Sequence, residues 1–134
     1  MCIMYMKFVL HLVQFCHLFV DIFNSIYIFI FPPIYDIYFS LWMFSVTLHW
    51  ALLKRECILS YIEKKLINPK YKLGDDPYNL PYQAIYYNKY TLSIKWLSLF
   101  IALCVIIYRN IENALITSMC ILALLLSYVF LNKP

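Results

Sequence analysis

The sequence predicts an all-α integral membrane protein in which four transmembrane helices form two hairpins, joined by a polar, tyrosine-rich interfacial segment. Of the 134 residues, 64% are hydrophobic and only 13% are charged, whereas average soluble domains carry about 25% charged residues. Four stretches approach the about 20 apolar residues that a helix needs to cross a bilayer. Short polar or proline-containing breaks separate the two stretches of each pair. The length allows a single membrane domain over residues 1–134.

The first predicted helix covers residues 8–31 and ends at Pro32-Pro33, because two prolines remove two backbone donors. Lys7 precedes its apolar stretch, as in a signal peptide, but no cleavage site of the Ala-x-Ala kind follows. We therefore expect this segment to be retained as a membrane anchor.

The second predicted helix covers residues 34–67, because no helix breaker occurs before Asn68-Pro69. Leu53, Cys57 and Tyr61 recur at helical spacing beyond the apolar stretch. At 1.5 Å per residue such a helix is about 50 Å long, so we expect its end to project from the membrane.

The third and fourth predicted helices cover residues 92–108 and 114–131, and a polar turn at residues 109–113 separates them. Asn113 in this turn is a candidate cap for the fourth helix. The central connector, residues 68–91, begins with turn-forming residues and continues with tyrosines. Because tyrosine favours the headgroup level of a bilayer, this connector is expected to lie at the membrane surface.

The distribution of basic residues predicts the orientation. Two hairpins place the N-terminus, the central connector and the C-terminus on one side of the membrane. That side carries ten of the eleven lysines and arginines, including Lys133, and only Arg109 lies opposite. By the positive-inside rule, both termini and the central segment are cytoplasmic.

Polar side chains of the first helix share one face, an arc of about 140° at 100° per residue. This polar stripe consists of His11, Gln14, His17, Asp21, Asn24 and Ser25. Because such a stripe is costly against lipid, it is expected to face other helices or a water-filled cavity. Three interpretations are open: interhelical hydrogen bonds in a bundle or oligomer, a proton or ion path with Asp21 and His17 as relays, and a metal or haem site at His17 and His49.

The second helix adds further polar positions, and no pattern of an enzyme accompanies them. These second-helix positions are Asp36, Ser40, Thr47 and His49. No hydrolase or metalloprotease motif is present, and the single glycine, Gly74, excludes a glycine-rich phosphate loop. The five cysteines form no C-x-x-C pattern. We therefore expect no enzymatic activity, no catalytic residue, no cofactor and no bound metal.

An interfacial motif marks the end of the second predicted helix. Its members are Glu56, Cys57, Ser60, Glu63, Lys64 and Lys65. Cys57, Ser60 and Glu63 are spaced three apart and share a helical face. This pattern favours stabilisation of the helix end at the membrane surface, and a docking face for a partner is the alternative.

The block from His49 to Gly74, which contains this motif, resembles an element of small multi-pass membrane proteins of unknown activity that large DNA viruses encode. More loosely, Trp50, Cys57, Ser60 and Glu63 resemble a Trp…Cys-x-x-Ser/Thr-x-x-Glu pattern of a bacterial membrane family. The resemblance implies an integral viral membrane protein. It assigns no catalytic residue.

We interpret the chain as a structural or assembly component of a membrane, and a small oligomeric ion or proton channel or transporter that uses the polar stripe is the alternative. Its expected partners are the lipid bilayer and other membrane helices, in a homo- or hetero-oligomer. Anionic lipid is a further candidate partner, through Lys64, Lys65, Lys70 and Lys72. Nucleic acid is not expected, because acidic residues offset much of the positive charge of the middle segment.

Overall fold

The computed structural model describes residues 2–131, with the side chains of residues 5–129; Lys133 and the Cys2 side chain lie outside them. Within this range all regular structure is helical. The helices are α1 (Cys2–Ile30), α2 (Asp36–Leu52), α3 (Ile58–Ile67), α4 (Pro81–Tyr86), α5 (Lys89–Arg109) and α6 (Ala114–Leu131), with a 3₁₀ turn at Pro33–Tyr35. The all-α class that the composition predicts is therefore confirmed.

Two of the described helices are long and apolar enough to cross a membrane, rather than the four that the sequence predicts. They are the stretch Tyr5–Ile30 of α1 and the helix α5. The apolar stretch Ala114–Val129 of α6 is shorter, and α2 has only 17 residues. By length and composition alone, the prediction of membrane-spanning helices is met in part.

The predicted continuous helix over residues 34–67 is wrong, because the chain turns sharply between α2 and α3. Lys54 and Arg55 adopt left-handed backbone conformations, with φ of 51° and 68°. The N–H of Arg55 donates to the carbonyl oxygen of Trp50 at 2.8 Å, which is the closing hydrogen bond of a Schellman C-cap. Glycine usually occupies the left-handed position of this cap, so two cationic residues gave no warning of it.

The break lets α3 fold back against α1 instead of projecting away from the other helices. The imidazole Nε2 of His49, near the end of α2, accepts a hydrogen bond from the N–H of Ile58 at 3.2 Å. Ile58 is the first residue of α3, so His49 satisfies one of the free donors at that helix start. Cys57 precedes α3 as its N-cap rather than lying on its face.

The connector contains one short helix and a strong helix start that extends the predicted third helix. Pro81 occupies the first turn of α4, where its missing N–H costs little. Asn88 and Thr91 form a reciprocal capping box at the start of α5, which therefore begins at Lys89 rather than at residue 92. At the start of α6, the side chain of Asn113 accepts a hydrogen bond from the N–H of Ile116 at 3.3 Å.

The long helices do not pack as two self-contained hairpins. Helix α1 packs mainly on α5, α2 packs on α6, and α5 packs on α6, while α3 and α4 cover the first half of α1. Large aromatic side chains of α1 and α2 line a groove of about 460 Å³ between the two helices, where the rings of Tyr27 and Phe39 stack 3.9 Å apart. The apolar core also contains Met43, Leu99, Leu103, Ile106, Ile116, Cys120 and Ala123.

Burial is inverted relative to a water-soluble protein. Asp36, Ser40 and Thr47 in α2 are completely buried, whereas Phe29 of α1 is 78% exposed. The outward faces of all four long helices are apolar. They carry Phe19, Leu41, Ile94, Leu97, Phe100, Leu115, Leu122 and Leu125. The interior of the bundle therefore holds polar groups beside its apolar core, and large apolar side chains cover the outward faces of the long helices.

Candidate functional site

Most of the polar stripe of α1 contacts other parts of the same chain. Gln14 donates its side-chain amide to Glu63 of α3 at 2.7 Å, and Asn24 accepts a hydrogen bond from the indole of Trp42 at 2.9 Å. Ser25 donates to the carbonyl oxygen of Asp21, one turn earlier. His11 at the N-terminal end of the stripe is exposed. Gln14 and Asn24 thus contact other helices of the same chain, whereas Ser25 bonds within α1 and His11 does not face another helix.

Asp21 lies at the centre of a polar cluster formed by α1, α4 and α5. Its Oδ2 accepts hydrogen bonds from the ammonium group of Lys95 at 2.8 Å and from the hydroxyl of Tyr82 at 2.7 Å. Burial and the Asp21 carboxylate raise the pKa of Tyr82, so its hydroxyl remains a donor. The Tyr82 ring stacks on the imidazole of His17, with centroids 3.8 Å apart. The ammonium group of Lys95 also lies over the ring of Trp96, 4.5 Å from its centroid.

A cavity of about 320 Å³ adjoins this cluster, and we call it the inner cavity. Helices α1, α4 and α5, the turn before α3 and the connector all contribute to its walls. Its lining includes His17, Asp21, Arg55, Tyr82, Lys95 and Trp96. A smaller cavity of about 130 Å³ shares several of these residues and extends to His49 and Met43. The two histidines considered as a haem or metal pair thus line the same small cavity, but His49 is engaged in capping α3.

Asp36, the first of the polar positions of α2, forms a second cluster at the opposite end of the bundle. Asp36 accepts two hydrogen bonds from the guanidinium group of Arg109, at 2.7 and 2.8 Å, which is the bidentate geometry of a strong ion pair. The Asn110 amide and the Tyr27 hydroxyl also donate to this carboxylate. Asp36 is therefore fully buried and fully paired.

Ser40 and Thr47 make smaller contributions to the interior. The hydroxyl of Ser40 lies 3.2 Å from the thiol of Cys120 in α6, and Thr47 donates to the carbonyl oxygen of Met43 one turn earlier. Both side chains are completely buried. These contacts satisfy the hydrogen-bonding groups of both hydroxyls, so the two side chains do not line a polar path.

The interfacial motif folds residues 56–76 into a compact cap. The buried carboxylate of Glu56 accepts hydrogen bonds from Lys64 at 2.7 Å, from the Tyr71 hydroxyl at 2.8 Å and from the N–H of Gly74 at 3.0 Å. Lys64 also donates to the carbonyl oxygen of Asp76. The block from His49 to Gly74 therefore encloses a network centred on Glu56.

Two other members of the motif lie on the α1 side of α3, where they are buried. Ser60 and Glu63 are both 0% exposed. Burial raises the pKa of Glu63, and the hydrogen bond from Gln14 opposes that shift. Lys65 remains at the surface and donates to the carbonyl oxygen of Tyr71 at 3.0 Å.

Sequence analysis missed two residues of these clusters, Lys95 and Tyr82. It also missed the ion pair between Arg109 and Asp36. A usable signal exists for the ion pairs, since Asp21 and Lys95 are isolated charges in otherwise apolar stretches. An isolated intramembrane charge needs an opposite charge. Tyr82 gave no such signal, because it is one of several tyrosines in the connector.

The site offers ion pairs, hydrogen-bond donors and a cavity, and no arrangement typical of a metal centre. Among the described residues, no three histidine, cysteine, aspartate or glutamate side chains lie close enough to hold a metal ion together. Comparisons of the chain with protein-family models, curated proteins and solved structures found no match. The resemblance of residues 49–74 to a viral element therefore stays a prediction.

Proposed function

We propose that this chain is a multi-pass membrane protein whose four long helices all cross the bilayer. The inverted burial supports the proposal, because apolar outward faces and buried polar groups suit a lipid environment. Helices α2 and α6 have 17 and 18 residues. At 1.5 Å per residue they are about 26 and 27 Å long, close to the about 30 Å of a hydrocarbon core.

In this arrangement the cap and the connector lie on the cytoplasmic side, and the turn at residues 109–113 lies opposite. The lysines of the cap side favour that orientation. Single cysteines introduced as Asp75→Cys and Glu112→Cys into a cysteine-free background test it, since both positions are exposed. A membrane-impermeant maleimide is expected to label the two from opposite sides. Labelling of both from one side would overturn the four-span topology.

Within the membrane we propose a structural or assembly role rather than catalysis. The observation that supports this proposal is that the charged residues inside the long helices are paired with each other. Asp21 and Asp36 are each paired to a cation of α5, Lys95 and Arg109. Between those cations, α5 presents the buried apolar residues Leu99, Leu103 and Ile106 to the interior. The charges thus join helices, and an apolar layer separates the two polar clusters.

Extraction in a mild detergent tests the assembly role. We expect the chain to remain in a defined complex, with a second copy or with other membrane proteins identified by mass spectrometry. A protein that is monomeric under all mild conditions would contradict an assembly role.

Ion or proton conduction is the second candidate, and the inner cavity beside Asp21 is the observation that favours it. Conduction predicts flux in vesicles reconstituted with the chain and its loss in Asp21→Asn. The structural proposal predicts flux no greater than in empty vesicles. Asp36→Asn serves as the matched control, because that carboxylate lies in the other cluster.

A further inference from the structure

The inner cavity has the size and position of a ligand site. Its volume of about 320 Å³ falls within the range of about 300–1,000 Å³ typical of small-molecule sites. It lies where α1 and α5 meet the connector, and Trp50, Tyr78 and Trp96 are among its lining residues. Aromatic side chains of this kind mark the headgroup level of a bilayer.

The charge of the cavity favours an anion. Lys95 is neutralised by Asp21, so this pair adds no net charge. Arg55 also lines the cavity, and its guanidinium group donates to the Tyr78 hydroxyl at 2.8 Å. Among the described residues, no carboxylate forms a salt bridge with Arg55. The cavity therefore carries one cation whose charge is not compensated.

Much of the remaining wall is apolar, although His17, Tyr82 and Gln83 also contribute to it. Leu80, Leu92 and Pro77 line the cavity together with the two tryptophans. A soluble anion would leave these side chains facing water, whereas an amphiphile covers them with its own apolar part. One uncompensated guanidinium beside an apolar wall therefore matches a molecule with an anionic head and a hydrocarbon body.

We propose that the inner cavity binds the phosphate headgroup of an anionic membrane lipid, with Arg55 as the phosphate contact. A guanidinium group presents a planar fork of donors that matches phosphate oxygens. The Leu92 and Trp96 side chains of α5 flank the glycerol and the first carbons of the acyl chains. This inference rests on the proposed membrane insertion of the helices.

The site differs from the lysine cluster that the sequence suggested for anionic lipid. Lys64 is buried in an ion pair with Glu56 and is therefore unavailable to a headgroup. Lys65 is hydrogen-bonded to the backbone of Tyr71. These lysines stabilise the cap, whereas Arg55 precedes the cap and lines the cavity.

Tryptophan quenching tests the proposal on the full chain in phosphatidylcholine nanodiscs. A small fraction of phosphatidic acid with brominated acyl chains is compared with the same fraction of brominated phosphatidylcholine. Trp50 and Trp96 line the cavity, so bound brominated lipid quenches their fluorescence. We expect phosphatidic acid to be preferred about tenfold, the effect of one charge-assisted contact. Equal quenching by the two lipids would overturn the proposal.

Variants separate the cavity from general surface charge. Arg55→Gln is expected to abolish the preference, whereas Lys70→Gln removes the same charge from an exposed connector position and keeps it. Equal losses in both variants would overturn the proposal. Leu92→Phe narrows the cavity without a charge change and is also expected to weaken binding; an unchanged preference in it would argue against the cavity.

Two further controls separate a failure of membrane insertion from a failure of the lipid site, and a lipid ligand from a soluble one. Flotation after an alkaline carbonate wash reports membrane insertion, so a chain that still floats but shows no lipid preference contradicts only the lipid site. Soluble glycerol phosphate is added as a competitor and is expected to leave the quenching unchanged. Competition as effective as that of the lipid would assign the cavity to a soluble phosphate ester instead.

Discussion

Glu56 and Glu63 are both completely buried, yet their carboxylates have opposite environments. Glu56 accepts hydrogen bonds from Lys64, Tyr71 and Gly74, so its charge is compensated. Glu63 accepts one from Gln14, and the Lys64 charge and the backbone N–H of Tyr82 favour its carboxylate further, but these do not outweigh its burial. Burial therefore raises the pKa of Glu63 above its usual value of 4.5.

We predict that Glu63→Gln stabilises the folded chain at neutral pH and removes part of its pH dependence. The folded state holds the Glu63 proton more tightly than the unfolded state. The stability that this proton contributes is therefore fully present below pH 4.5. It then falls as the pH rises toward the raised pKa of the folded state. Thermal unfolding in micelles between pH 4 and pH 8 measures this. The assignment would be contradicted if the stability of the wild-type chain rose between pH 4 and pH 8 and Glu63→Gln left that pH dependence unchanged.

Glu56→Gln is the matched control and has the opposite expected effect. It removes the partner of the buried Lys64 ammonium group, whose side chain is 6% exposed. Breaking a buried pair by removing one partner costs about 3 kcal/mol or more. Glu56→Gln should therefore lower the unfolding temperature at neutral pH, while Glu63→Gln raises it. Equal effects of the two changes would mean that the two sites do not differ as described.

Among the secondary-structure elements, the turn between α2 and α3 departs most from the sequence-based expectation. Sequence analysis identified where Pro32-Pro33 ends α1, because proline acts locally. It missed the break at Lys54, because neither Lys54 nor Arg55 has a preference for left-handed backbone. The break depends on contacts distant in sequence, such as Glu56 with Gly74 and Gln14 with Glu63.

We predict that Lys54→Gly stabilises the chain. Lys54 adopts a φ of 51° at the position after the α2 C-cap, where a non-glycine residue costs about 1 kcal/mol. In a continuous helix the same substitution would instead destabilise by about 1 kcal/mol. The sign of the change in unfolding free energy in detergent micelles therefore separates the two structures. Ala51→Gly, at an exposed position of α2, should destabilise in either case.

On the scale of the whole molecule, α5 holds α1 and α2 in place through one ion pair near each of its ends. Lys95 pairs with Asp21 of α1, and Arg109 pairs with Asp36 of α2. The sequence identified both carboxylates as polar positions inside apolar helices, but not their partners. The hairpin interpretation expected α1 against α2, whereas these helices meet mainly through aromatic side chains such as the stacked rings of Tyr27 and Phe39, and α5 is the main neighbour of α1.

The Asp36–Arg109 pair joins the first half of the chain to the second, so its loss is expected to destabilise the fold. We expect Arg109→Gln to cost about 3 kcal/mol, since the fully buried Asp36 carboxylate loses its bidentate partner. Asp36→Asn in the same chain removes that unpaired charge, so the double variant should lose about 2 kcal/mol less than the sum of the single losses.

Unfolding of each variant in mixed micelles by increasing fractions of denaturing detergent supplies these free energies. Glu112→Gln is the control, because it is an exposed acidic residue in the same polar turn and should change stability by less than about 0.5 kcal/mol. Additive losses in the Asp36 and Arg109 variants would show that this pair does not couple the two halves. A coupling of the expected size makes it one connection between them, beside the pair of Asp21 and Lys95.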